Sequence, residues 1–171
     1  MTSSKLQKGL TMATFQINEA YLTEIKDLVK NKDNSRIKKK LGQAHYADLG
    51  EIIEAVSLNE ATYLVKVLGS DKTADALAEV NPDIREGILE KLSAKEIAKE
   101  VLELDTDDAA DIILELPEER QEKVMSQIAD NEHVSDIRDL LKYDENTAGA
   151  LMAKELAVSY THLTLPTNRE V

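Results

Sequence analysis

Four aspartates lie close together at positions 105, 107, 108 and 111. If the segment is helical, Asp107 and Asp111 lie on one face because they are four residues apart. Carboxylate oxygens are the ligands that hard divalent cations such as Mg²⁺ prefer. Aspartates are also favoured in the first turn of any helix by its free amides and its dipole. The spacing is therefore compatible with a cation site or with an ordinary helix start, and it favours the helix start.

The sequence carries no pattern typical of catalysis or of zinc binding. It has no cysteine, and its three histidines, His45, His133 and His162, form no His-Glu-x-x-His pair. His45 and His133 are interpreted as residues at helix starts. No nucleophile elbow, paired base or glycine-rich phosphate loop is present. We predict that the chain is not an enzyme.

Charge is unevenly distributed along the 171 residues, which carry a formal net charge of −12. Residues 1–44 contain nine basic and four acidic side chains, whereas residues 45–155 contain eleven basic and 28 acidic ones. The acidic part should repel nucleic acid and attract divalent cations or a basic protein surface. No apolar run reaches the roughly 18 residues that a membrane helix needs, so a soluble fragment is predicted.

The elements that position these residues follow an internal repeat of about 24 residues. Within each repeat the apolar spacing is helical, as in the series from Leu49 to Val56 and from Ala61 to Leu68. Helices of about ten residues are marginal alone, so successive hairpins must stack into one core. We predict an all-α fold, a right-handed superhelix of short stacked helical hairpins. Apolar residues 24 positions apart form five columns of equivalent positions, which are Ile53, Leu77, Val101, Met125; Val56, Val80, Leu104, Ile128; Leu64, Ile88, Ile112; Val65, Leu89, Ile113; and Leu68, Leu92, Leu116.

Helix-start signals separate the repeated helices. Ser57 and Ser93 are each followed three residues later by glutamate, which is the capping-box pattern. Asn81 precedes a proline at the first helical position, and Pro117 opens the helix after Leu116. Outside the repeats, we predict leading helices over 15–28 and 35–41 and trailing helices over 118–128 and 134–143.

Three segments of the chain resemble the cytosolic N-terminal domain of MgtE-family magnesium transporters. His45-Tyr-Ala-Asp-Leu is similar to the family's His-Pro-Ala-Asp helix start, with Tyr46 in place of the proline. The segment 104–119 is similar to the family's acidic Asp-Asp-Ala-Ala-Asp helix and the turn after it. Tyr143-Asp-Glu-Asn-Thr-Ala-Gly-Ala-Leu-Met is similar to the family's junction with its CBS domain, and is the most specific of the three.

The resemblance implies a regulatory rather than a transporting role for this chain. In such proteins Mg²⁺ bound between the N domain and the CBS domain holds the pore closed. Carried over by position, the metal ligands are Asp75, Asp107, Asp111 and the backbone carbonyl of Ala150. The implied partners are the CBS domain and transmembrane region of the same full-length chain, a homodimer, at the cytoplasmic face of the bacterial inner membrane.

The resemblance also divides the chain into segments. Residues 1–14 are expected to be a disordered lead, 15–142 the helical domain, and 143–157 the junction and start of the CBS domain. Residues 158–171 depart from the family and resemble a translated sequencing adapter, so we interpret them as a non-native tail. The alternative function is a metal-independent helical scaffold, related to the superhelical domains of flagellar motor-switch proteins.

Overall fold

Helices begin at a regular interval along the chain. In the computed structural model, which describes residues 17–128 and 132–142, α3, α5, α7 and α9 start at residues 46, 70, 94 and 118. Helices α4, α6 and α8 start at 58, 82 and 106. Both series repeat every 24 residues, as predicted. The described helices are α1 (Glu19–Lys30), α2 (Asn34–Leu41), α3 (Tyr46–Ala55), α4 (Leu58–Leu68), α5 (Ser70–Glu79), α6 (Pro82–Lys91), α7 (Ala94–Glu103), α8 (Thr106–Leu114), α9 (Glu118–Gln127) and α10 (Glu132–Leu140).

Most of the described helices pack mainly on a helix two positions away along the chain, whereas α1 packs on α2 and α4. Helices α3, α5, α7 and α9 form one row in this way, and α2, α4 and α6 form the start of a second row. Helix α10 packs on α8. The apolar columns predicted from the sequence are buried between the rows, except that Val56 is only half-buried. The all-α stacked-hairpin fold is therefore confirmed, and the described ranges contain no strand.

The predicted caps set the helix boundaries. Ser57 and Ser93 each form a complete capping box with the glutamate three residues later. Asn81 caps α6 with Pro82 in its first turn, and the His45 imidazole accepts from the Ala47 amide at 3.3 Å. These local hydrogen bonds satisfy amides that have no partner inside the helix, which explains why the boundaries could be read from the sequence.

The terminal helices differ from the predicted ranges. Helix α1 begins at Glu19, because Asn18 adopts an extended conformation and its side chain accepts from the Tyr21 amide. Helix α10 ends at Leu140 rather than at residue 143. The expected lead over 1–14, the junction over 143–157 and the tail over 158–171 lie outside the described residues. None of the described helices combines the length and apolar character that a membrane crossing requires.

Candidate metal-binding face

The start of α8 exposes several carboxylates. Asp105 is the residue before the helix, and its side chain makes no capping hydrogen bond, unlike the serines that precede α4 and α7. Asp108 and Asp111 are exposed, whereas Asp107 is half-buried. The helix dipole favours negative charge here, which offsets part of the repulsion between these groups.

One oxygen of Asp107 lacks a partner. Its Oδ1 atom is buried and accepts no hydrogen bond from the residues that the structure describes. A buried carboxylate oxygen without a donor is unfavourable, because it has lost its hydration and gained nothing in exchange. A cation or a cation-bound water at this atom would supply the missing interaction.

Negative charge from two helices meets at Asp108. Burial raises the pKa of the Asp108 carboxyl, and the negative charges of Asp107, Asp105, Asp111 and Glu79 raise it further, in that order. Glu79 belongs to the last turn of α5, so the field at Asp108 has contributions from both α5 and α8. We call Glu79, Asp105, Asp107, Asp108 and Asp111 the acidic face.

The structure brings together only some of the predicted site residues. Asp107 and Asp111 share α8, as the spacing predicted. Asp75 is exposed on α5, one helical turn before Glu79, but it is not among the charges that act on Asp108. Asp75 and Asp107 form no ion pair with any described residue. Ala150 lies outside the described residues.

The acidic face is not a closed metal cage. Within residues 17–128 and 132–142, no three His, Cys, Asp or Glu side chains come close enough to hold a metal ion between them. Mg²⁺ commonly keeps several waters and takes only one or two protein carboxylates from a surface. The donor set therefore fits one side of a shared, partly hydrated magnesium site, with the remaining ligands supplied from elsewhere.

Sequence reasoning missed two buried charged residues, Arg85 and Glu100, which are 9% and 5% exposed. Comparison of positions 24 residues apart identifies both from the sequence. Residues 24 positions before and after Arg85 are the buried Ala61 and Ala109, and the column of Glu100 contains buried Ala76. A charged residue in a buried apolar column needs a specific partner, and both residues have one.

The fold and the site together define a class of protein. It is a domain of stacked helical hairpins whose acidic surface contains a carboxylate oxygen without a hydrogen-bond partner among the described residues. The sequence model of the MgtE intracellular N domain matches residues 44–146, which is more than half of the chain. The chain belongs to the MgtE intracellular N domain family.

Two solved structures have the same fold. One is described as the soluble part of a magnesium transporter, with a TM-score of 0.68 and 22% identity over 78% of this chain and 53% of the other. The second is described as the cytosolic domain of the Mg²⁺ channel MgtE in complex with ATP, with a TM-score of 0.68 and 20% identity over 78% of this chain and 55% of the other. This chain thus matches about half the length of each structure. No curated protein matches it.

Proposed function

We propose that this chain is the magnesium-sensing domain of a magnesium transporter or channel. It responds to cytosolic Mg²⁺ when the ion links the acidic face to the CBS domain of the same protein, and this closes the pore. The observation that carries the proposal is the buried, unpartnered Oδ1 of Asp107 within a cluster of like charges. Family membership supports it by supplying the transporter context.

The chemistry of the proposed site is electrostatic. Asp107 and Asp111 from α8, with Asp75 from α5, supply carboxylates, and the Ala150 carbonyl adds a backbone ligand near the CBS junction. Without metal, carboxylates on two facing surfaces repel by about 1 kcal/mol per pair at ~4 Å in water. Several such pairs shift the equilibrium toward an open arrangement. Mg²⁺ reverses the shift only because it binds the closed arrangement more tightly.

The proposal places the protein at a membrane. The full-length chain would be a homodimer in the bacterial inner membrane, with this domain on its cytoplasmic face. The expected partners are the CBS domain and the transmembrane region. Mg²⁺ acts here as a regulator bound at the domain, and no catalytic step is assigned to the chain.

A metal-independent scaffold is the second candidate function. It is favoured by the absence of three convergent ligands within the described ranges. In that case the acidic face would bind a basic protein surface, and Mg²⁺ would screen the contact weakly.

Protease protection of the full-length protein distinguishes the two functions. We expect Mg²⁺ to protect the link between the N domain and the CBS domain, and Asp107→Asn together with Asp111→Asn to abolish that protection. Asp83→Asn is the matched control, because Asp83 occupies the position of Asp107 in the preceding repeat and is exposed in the first turn of α6. Protection that is unaffected by the α8 substitutions, or equally affected by Asp83→Asn, contradicts metal sensing.

A further inference from the structure

Arg85 is a buried cation that connects three helices. Its Nε donates to Glu115 Oε2 at 2.8 Å, and its Nη2 donates to the other oxygen of the same carboxylate. Its Nη1 donates to the backbone oxygens of Leu77 at 3.1 Å and Ala78 at 2.7 Å. Two parallel hydrogen bonds to one carboxylate fix the guanidinium plane, which a lysine cannot do. We call these contacts the Arg85 bridge.

The Arg85 bridge joins the two helices of the acidic face. Leu77 and Ala78 lie in the last turns of α5, immediately before Glu79. Glu115 is the capping residue directly after α8, four positions after Asp111. One side chain of α6 therefore links the turn that carries Glu79 to the end of the helix that carries the aspartates.

This link opposes a repulsion. Glu79 lies close enough to Asp108 to interact with it electrostatically, and both are negative. Neither forms an ion pair with a residue in the described ranges. Like charges on α5 and α8 favour a wider separation of the two helices, and the Arg85 bridge opposes it from the side of α6.

The fold itself does not require an arginine at this position. The corresponding residues of the flanking repeats are the fully buried alanines Ala61 and Ala109. Both serve the same packing column without any charge. The arginine is specific to the repeat whose neighbouring helices carry the acidic face.

We propose that Arg85 is a positioning residue, and that its bridge to Glu115 and α5 fixes the position of Glu79 relative to the α8 aspartates, so that the acidic face keeps the arrangement that binds a divalent cation. The inference rests on the proposed function, because it takes the acidic face as the metal site. Arg85 itself is buried and is not one of the proposed metal ligands.

Arg120 provides a matched control. Its Nη2 donates to the backbone oxygens of Leu89 at 3.0 Å and Leu92 at 2.7 Å, so it also joins two helices through backbone carbonyls. Those contacts link α9 to the end of α6 rather than α5 to α8. Loss of Arg120 should destabilise the fold without changing the geometry of the acidic face.

The first measurement is the Mn²⁺ dissociation constant of the chain, from the paramagnetic resonance signal of free Mn²⁺. Mn²⁺ replaces Mg²⁺ as a probe because both prefer oxygen ligands. Arg85→Met should raise the dissociation constant roughly fivefold or more, as for other coupled sites. Arg120→Met should leave it unchanged, although both variants lose stability toward urea. If Arg85→Met does not fold, Arg85→Lys replaces it. Equal dissociation constants in the wild type and the Arg85 variant, or equal weakening in both variants, overturn the proposal.

The second measurement does not depend on metal. In metal-free protein, Arg85→Met should accelerate amide hydrogen exchange in α8 and the last turn of α5, and Arg120→Met should not. Absence of Mn²⁺ binding in the wild-type chain contradicts the acidic face as a metal-binding surface of its own, and it leaves the exchange result for Arg85 unaffected. Unchanged exchange in α8 of the Arg85 variant overturns the positioning role, whatever the metal result.

Discussion

Replacement of Glu100 by glutamine should stabilise the protein at neutral and alkaline pH. Glu100 lies on α7 and is 5% exposed, and its Oε2 is 2.8 Å from Thr73 Oγ1 on α5. Burial raises the pKa of the Glu100 carboxyl to about 7, against the opposing effect of the Thr73 hydrogen bond. The negative charges of Glu103, Asp71 and Glu96 raise it further.

Protonation of Glu100 allows both contacts of Thr73 Oγ1 to be hydrogen bonds. Thr73 Oγ1 lies 3.0 Å from the Gly69 backbone oxygen as well as 2.8 Å from Glu100. A hydroxyl has one hydrogen and can donate to only one of them. When Glu100 is protonated it donates to Thr73, and Thr73 donates to Gly69. A glutamine at position 100 would keep the same arrangement through its amide.

The sign of the pH dependence follows from the direction of the shift. The folded protein keeps the Glu100 proton up to about pH 7, whereas the unfolded chain loses it near 4.5. The stabilisation that comes from the Glu100 proton is complete below pH 4.5 and is lost as the pH rises to about 7. At about 1.4 kcal/mol per pH unit, the interval between the two pKa values corresponds to a loss of about 3 kcal/mol in the free energy of unfolding.

The assay is urea unfolding of wild type and Glu100→Gln between pH 4.5 and 8.5, monitored by circular dichroism. The stability advantage of the variant should grow from near zero at pH 4.5 to as much as about 3 kcal/mol above pH 7. Glu122→Gln is the control, because it removes a charge from an exposed position on α9 that is not among the charges acting on Glu100. A difference between wild type and Glu100→Gln that does not change with pH would refute the reasoning.

Four further substitutions test the local structure through thermal unfolding. Ser93→Ala removes a capping box and should cost about 1 kcal/mol; an unchanged melting temperature would show that the cap is not needed. Gly69→Ala should cost about 1–3 kcal/mol, because its φ of 93° and ψ of 155° are disfavoured for other residues. Gly50→Ala should cost less than Gly69→Ala, because its added carbon would meet a backbone oxygen at an ordinary 3.5 Å. The reverse order would contradict the strained backbone conformation assigned to Gly69. Gly87→Val should destabilise α4 against α6 by about 1–3 kcal/mol, because even a Cβ would lie 3.1 Å from Leu58 methyl groups; a neutral result would mean that Leu58 moves aside freely.

The parts of the fold that local interactions determine could be predicted from the sequence. The caps at Ser57, Asn81 and Ser93 act within three residues of themselves, so they could be located without a structure. The apolar columns could be predicted because a 24-residue repeat brings equivalent positions to the same core. The predicted start of the first helix at residue 15 is too early, because the Asn18 cap sets the start of α1 at Glu19.

The candidate site depended on long-range contacts that the sequence does not display. The shared face of Asp107 and Asp111 follows from helical spacing, but the approach of Glu79 to Asp108 depends on how α5, α7 and α8 pack. The partners of Arg85 are 7, 8 and 30 residues away, so no local pattern predicts them. The assignment of Asp75 and Ala150 came from the family resemblance, and both remain predictions.

The most direct test of the account is a Mg²⁺ titration of the isotopically labelled chain, followed by amide chemical shifts. We expect saturable shift changes concentrated at the start of α8 and at Glu79, and reduced in Asp107→Asn but not in Asp83→Asn. Changes spread evenly over all exposed carboxylates, or equally large at the start of α6, would mean that Mg²⁺ only screens the acidic surface.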